Sequence, residues 1–300
     1  MSHKLNLIFE ETNQFSALNT DFYELTMCGG FKVLEYLGYM LSSGFSAGKL
    51  IEYKFGHDLY FRRIPDNGGY CICAGLANAL EFLKNVHFSE SDIDFLEKLP
   101  EFSKVHVKEK ERFLDYLSGW RFTGDVWAIP EGELVFPNNT LMRVTGNPVD
   151  THIVEGALLN IYNTQTRLAS KAARICWAAA GDPVVDFSFR RMMAGTGGTA
   201  ELSRALIIGG MNGTSNTYAA KKYKLEKPLG THAHSWVLAF KDDGNAFEAY
   251  SAVYPHMASF LADTFDFLKK GMVAAIEEIK KLRKEGYNQL ILIRDDSGDL

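Results

Sequence analysis

The stretch GTHAHSW, residues 230–236, sets His232 and His234 one residue apart at the end of an apolar run. On a strand, positions two apart face the same way, so the pair could clip a metal ion. The two rings could equally be satisfied core side chains, or one could be a nucleophile. A metal centre wants further ligands at set positions, and His3, His57, His87, His106, His152 and His256 offer no such spacing. Other polar clusters stand nearby: DFSFRR (186–191), NGTSN (212–216), ADTFD (262–266) and RDDSGD (294–299). Aromatic faces such as Phe187 hold flat rings, and arginine forks such as Arg190 and Arg294 grip carboxylate or phosphate. Each has a plain structural counterpart. Phe187 and Phe189 alternating along a strand are core aromatics, Tyr23 is an amphipathic-helix contact, and strand-end arginines are solvated. Ser215 is a turn residue before a helix, and SGD is a common turn.

These clusters need elements to carry them. Up to about residue 150 the order of helices and strands is irregular, as in an α+β domain. DFYELTMCGGFKVLEYL and LANALEFLKNV read as helices, FSESDIDFLEKL as a helix capped by Ser89 or Ser91, and KLIEYKFGHDLYFRRIP as strand. Residues 151–181 form a long helix closed by Gly181, with Lys171 and Arg174 expected in salt bridges and Lys171 able to line a site. Then PVVDFSFRR, LIIGGM, PLGTHAHSWV, ASFLADTF and NQLILIRDDSGD read as strands separated by helices, which means parallel βα units. AGTGGTAELS reads as a flexible loop rather than a phosphate loop, since it lacks Lys-Ser/Thr. Every one of these strands ends in a polar cluster, which favours an α/β barrel, where all strand ends meet at one mouth, over an open sheet.

Bulk properties narrow the classes. The 300 residues are 46% apolar with net charge −5 and pI near 5.9, giving no basic footprint for nucleic acid. No apolar run has the length of a membrane span and no signal peptide is visible, so a cytoplasmic location is expected. Cys28, Cys71, Cys73 and Cys176 lack zinc-like spacing and read as reduced thiols.

The strings NTDFYELTM, GDVWAIPEG, NTQTRLASKAARI, DFSFRR, IGGMNGTSN, GTHAHSW and IRDDSGDL occur in order, and together they resemble nicotinate phosphoribosyltransferase from about residue 15 to residue 300. The resemblance implies an α/β fold of the type II phosphoribosyltransferase kind. An N-terminal α+β sandwich-like domain (1–150) precedes the first part of an incomplete parallel α/β barrel (151–300). The rest of the barrel and the 5′-phosphate loops are expected outside these residues, so that an inert fragment is the alternative reading for the isolated chain and a metal-dependent barrel hydrolase a further one. It also implies an ATP-coupled ligase and glycosyltransferase of NAD biosynthesis, joining nicotinate to phosphoribosyl pyrophosphate. His234 would be phosphorylated by ATP, with Arg294 and Asp296 also catalytic. Asp21, Tyr23, Phe187, Arg190, Ser215, Asp263, Ser297 and Asp299 would bind substrate, Ser215 favouring the acid over the amide. Asp263 and Asp296 would meet Mg²⁺ carried by the substrate. A homodimer is implied, with Tyr23 contributed across its interface. His232 and Arg191 are assigned no role in the chemistry.

Overall fold

The computed structural model describes residues 13–297, which divide into two compact units between Lys227 and Pro228. In the first, α1 (Phe22–Leu37) ends at Gly38, whose φ of +56° suits a residue without Cβ. A 3₁₀ turn (Ala47–Glu52) leads to β1 (Phe55–Leu59), so only the middle of the expected KLIEYKFGHDLYFRRIP strand is extended. Next come β2 (Cys71–Ile72), α2 (Leu76–Asn85), α3 (Glu90–Glu97), α4 (Pro100–Ser103) and α5 (Val107–Gly119). Ser89 caps α3, accepting from the Asp92 N–H while the Asp92 side chain accepts from the Ser89 N–H, as the capping pattern predicts. β3 (Asp125–Ala128), β4 (Leu134–Val135) and β5 (Met142–Gly146) complete two antiparallel sheets, ordered β1-β5-β3 and β2-β4.

Short α6 (Pro148–Ile153) then leads into α7 (Glu155–Ala178). The step at residue 150 thus falls inside α6, and the compact units do not divide there. Asp150 is buried and holds this corner, accepting from Trp120 Nε1 at 2.8 Å and from the Thr123 hydroxyl at 2.6 Å. The core of this unit gathers Phe82, Phe113, Leu117, Met142, Ile153 and Tyr162.

β6 (Val185–Asp186), α8 (Gly195–Ile208) and β7 (Gly213–Thr214) make a parallel βαβ unit, followed by α9 (Thr217–Lys222). Three sequence readings change here. DFSFRR leaves the strand after Asp186 and turns into a 3₁₀ segment at Phe189–Arg191, so Phe187 and Phe189 do not alternate along one strand. The glycines of AGTGGTAELS lie within α8 rather than in a loop, and Leu206–Ile208 of LIIGGM end that helix. A short apolar run is equally compatible with helix or strand, and packing decides. Here α8 lies on α7, and a Cβ at Gly209 would stand 2.2 Å from the Ala169 carbonyl oxygen.

The second unit contains α10 (His234–Phe240), α11 (Asp243–Val253), β8 (Ser259–Leu261), α12 (Met272–Lys284) and β9 (Leu292–Arg294). β8 and β9 pair in parallel across α12. Its core is smaller, built on Val237, Phe247, Phe260 and Leu282. PLGTHAHSWV is not a strand: His234 opens α10. Trp236 and Phe240, one turn apart, have ring centroids 4.9 Å apart, and Trp236 Nε1 donates to the Ala246 carbonyl. The four cysteines are unpaired, and no helix of the described residues is long and apolar enough to cross a membrane.

Candidate active site

In the second unit the polar residues converge. His234 sits at the first turn of α10, with Nδ1 3.2 Å from the Thr264 hydroxyl. Its Nε2 lies 4.0 Å from Asp263 Oδ1 and 3.8 Å from Asp296 Oδ2. The other Asp263 oxygen, Oδ2, accepts from the Asp296 N–H at 3.2 Å and from the Ser297 hydroxyl. Burial pushes the Asp263 carboxyl up, but those hydrogen bonds and the His234 imidazole outweigh it and hold it below the ordinary carboxylate range. Asp263 Oδ1 is buried and has no hydrogen-bond partner among the described residues. Arg294 at the end of β9 donates to Thr231 Oγ1 at 3.1 Å and pairs with Asp296. His234, Asp263, Arg294, Asp296 and Ser297 are therefore one cluster. Asp299 lies outside the described residues.

His232 belongs to a different environment. It is buried against Phe247 and Tyr250, and its Nε2 accepts from the Leu261 N–H at 3.3 Å. Burial lowers its pKa, outweighing an opposing backbone hydrogen bond at Ala233, and the nearby Arg294 guanidinium acts in the same direction as burial. The same-face clip on a strand is replaced by one core ring and one site ring. Among the described residues no three His, Cys, Asp or Glu side chains stand together as a ligand set.

In the first unit, Phe187 and Ser215 follow neighbouring parallel strands, tied by the Ser215 N–H donating to the Asp186 carbonyl at 2.8 Å. Ser215 lies in the turn before α9, whose cap is Asn216, accepting from the Ala219 N–H. Asp186 is buried and engaged on both oxygens: it accepts from the Ser188 N–H and hydroxyl and from the Thr214 hydroxyl at 2.7 Å. Arg190 is exposed on the 3₁₀ turn. A cleft of about 1030 Å³ is lined by Phe187 and Arg191, and neither Arg190 nor Ser215 lines it. Asp21 precedes α1 and Tyr23 lies in its first turn, 52% exposed. The Glu24 carboxylate, hydrogen-bonded and close, pushes the Tyr23 phenol up to about 12.

Sequence reasoning missed Thr264, Thr231 and Asp186. Thr264 was within reach, standing beside Asp263 in a polar strand end. Thr231 needed the fold of the second unit to bring it to Arg294.

Residues 36–163 match the N-terminal domain of nicotinate phosphoribosyltransferase. The chain is 38% identical over 284 residues to nicotinate phosphoribosyltransferase pncB2 of Mycobacterium tuberculosis, covering 95% of this chain and 55% of that protein. It is 37% identical over 246 residues to nicotinate phosphoribosyltransferase of Bacillus subtilis, covering 81% of this chain and 47% of that protein. In fold it resembles human nicotinic acid phosphoribosyltransferase, with a TM-score of 0.74 at 24% identity over 93% of this chain and 61% of the human one. The nicotinate-nucleotide pyrophosphorylase of Pyrococcus furiosus gives a TM-score of 0.62 at 21% identity, over 95% of this chain and 68% of that one. The chain spans about half the length of the curated relatives it matches. Its fold is mixed α/β of the type II phosphoribosyltransferase kind, and by sequence nearly the whole chain is similar to nicotinate phosphoribosyltransferases.

Proposed function

We propose that the protein joins nicotinate to phosphoribosyl pyrophosphate, giving nicotinate mononucleotide and pyrophosphate in cytoplasmic NAD biosynthesis, with ATP hydrolysis coupled through phosphorylation of His234. The observation that carries this reading is the setting of His234: one ring nitrogen engaged by Thr264, the other turned to two carboxylates. With the Nδ1 proton donated to Thr264, Nε2 keeps its lone pair and attacks the terminal phosphorus of ATP. An N–P bond forms as the P–O bond to ADP breaks, and ADP leaves with the electron pair.

Two carboxylates facing a phosphate would repel it. Asp263 and Asp296 are hard oxygen donors, and the unpartnered Asp263 Oδ1 fits a divalent cation. Mg²⁺ bound with the substrate supplies the charge neutralisation that these acids require. Arg294, next to Asp296, offers a planar fork to a carboxylate or phosphate oxygen, and Ser297 keeps Asp263 ionised and oriented.

The pyridine nitrogen attacks ribosyl C1 without losing a proton, so the reaction asks for orientation and exclusion of water rather than a strong base. Phe187 supplies a face for the ring. Ser215, a neutral hydroxyl, tolerates a carboxylate where an acid would repel it. Arg190 is assigned to the phosphates. In a homodimer, the exposed Tyr23 and its neighbour Asp21 would serve the partner's ring site. The test is a two-part assay: formation of nicotinate mononucleotide from nicotinate and phosphoribosyl pyrophosphate, and acid-labile transfer of ³²P from ATP to protein. Both are expected, and His234→Ala should remove the label. Equal turnover by His234→Ala in the presence of ATP would refute the coupling.

A further inference from the structure

The sequence contains two Asn-Gly steps, Asn67-Gly68 and Asn212-Gly213, and the fold treats them in opposite ways. Such a step can modify itself, because a glycine has no side chain to hinder its nitrogen from attacking the asparagine amide carbon. The outcome depends on how firmly the amide and the nitrogen are held.

Asn212 is held from both sides. Its Oδ1 accepts from the Val184 N–H at 2.9 Å, and its own N–H donates to the Val184 carbonyl at 2.7 Å. Gly213 is buried and paired with Val185 in the β6–β7 ladder. Asn67 is the opposite case. It is exposed, in the 3₁₀ turn Pro65–Asn67 between β1 and β2, and its carboxamide makes no hydrogen bond among the described residues. Asp66 at φ +55° and Asn67 at φ +51° are consecutive left-handed residues that are not glycine, a conformation that stores strain. The Gly68 N–H is tied back to the Pro65 carbonyl at 3.2 Å, and opening that bond on an exposed, strained turn takes little free energy. The Arg174 guanidinium lies against Gly68: a Cβ there would stand 2.1 Å from Nη1, an atom buried without a hydrogen-bond partner. A cation so close favours the deprotonated backbone nitrogen that must attack.

We propose that Asn67 is a site of spontaneous deamidation, at which the Gly68 nitrogen closes on the Asn67 side-chain carbon. A new C–N bond forms as the amide C–N bond breaks. The Gly68 proton passes through solvent to the departing nitrogen, which leaves as ammonia. Water then opens the succinimide at either carbonyl, giving aspartate or isoaspartate. The product carries a second carboxylate beside Asp66, which pairs with Arg167 at 3.3 Å and with Arg174 at 3.7 Å. Asp66, Arg167 and Arg174 line the cleft that holds Phe187, so the modification changes the charge of one of its walls.

The experiment is incubation of the folded full chain in mildly alkaline buffer, read by peptide mass spectrometry and by methylation with an isoaspartyl methyltransferase. The Asn67 peptide should gain the amide-to-acid mass difference at least about tenfold faster than the Asn212 peptide. Asn67→Ser should lose the methyl label, and with it the acidic charge variant that isoelectric focusing finds in the incubated wild type. Unfolding the chain in urea before incubation should bring the two rates to within about threefold of each other. An Asn67 amide that stays intact, equal rates at the two steps in the folded chain, or a tenfold difference that survives unfolding would overturn the proposal.

Discussion

Asp186 and Asp263 occupy comparable places in the two units. Asp186 ends the first strand of one parallel βαβ pair and Asp263 lies two residues past the first strand of the other, and each is held from the neighbouring strand or the residues just after it: Asp186 by Thr214, Asp263 by Ser297 and the Asp296 N–H. Their remaining valences differ. Asp186 meets Ser188 with one oxygen and Thr214 with the other, so both are engaged. Asp263 spends one oxygen on its neighbours and keeps the other, buried and without a partner, towards His234. A satisfied buried carboxylate rigidifies a fold, whereas a half-satisfied one in a polar cluster marks chemistry. The first unit thus uses its strand-end acid as a brace, and the second leaves one oxygen of its own without a partner beside His234.

The largest effect that sharpens this contrast is on activity. Asp263→Asn should lower nucleotide formation about a hundredfold or more while moving the urea midpoint little. The reverse holds for Asp186→Ala, which leaves the buried Thr214 hydroxyl and the Ser188 donors unpaired and should cost about 3 kcal/mol in urea unfolding. Equal loss of stability in both variants would erase the distinction between brace and open site.

Packing gives a second, smaller comparison. A Cβ at Gly209 would meet the Ala169 carbonyl oxygen at 2.2 Å, and one at Gly271 would meet the Ala262 carbonyl oxygen at 1.8 Å. Each is a collision with backbone, which cannot swing aside. Gly209→Ala and Gly271→Ala should each cost about 1–3 kcal/mol, and hydrogen exchange should localise the first to α7–α8 and the second to β8 and its neighbours.

The smallest effect concerns pH. His232 has its pKa lowered by burial, so the folded state prefers the neutral ring. Its contribution to stability is present above the unfolded value of about 6.5 and is lost as pH falls below it towards the folded value. The Asp263 carboxyl, held low, likewise contributes above the ordinary carboxylate range and loses that contribution only in stronger acid. The urea midpoint of the second unit should therefore begin to fall in mild acid, and His232→Phe should flatten that first phase. A first phase that persists in His232→Phe would assign it to another group.

Much of this was legible beforehand, for identifiable reasons. The long α7, the Ser89 cap and the alternation of strands and helices follow from periodicity and local hydrogen bonding, which the sequence carries directly. The cluster of His234, Asp263, Arg294, Asp296 and Ser297 was readable as residues, although not as a geometry. What escaped reading depends on tertiary contact. LIIGGM and PLGTHAHSWV are apolar runs of a length that suits either state, and their helical outcome comes from α8 packing on α7 and from Trp236 reaching Phe240 and Ala246. The glycines of AGTGGTAELS weaken a helix locally, yet α8 begins at Gly195. The separate fates of His232 and His234 turn on one extended residue, Ala233, between a buried ring and a helix start.

The direct measurement is phosphoryl transfer to the protein. Incubation with γ-³²P-labelled ATP, followed by peptide mapping under alkaline conditions that preserve phosphohistidine, should place the label on His234, abolish it in His234→Ala and reduce it strongly in Asp263→Asn. Undiminished label in His234→Ala, or label on another residue, would contradict the assignment of His234 as the group that carries the phosphate.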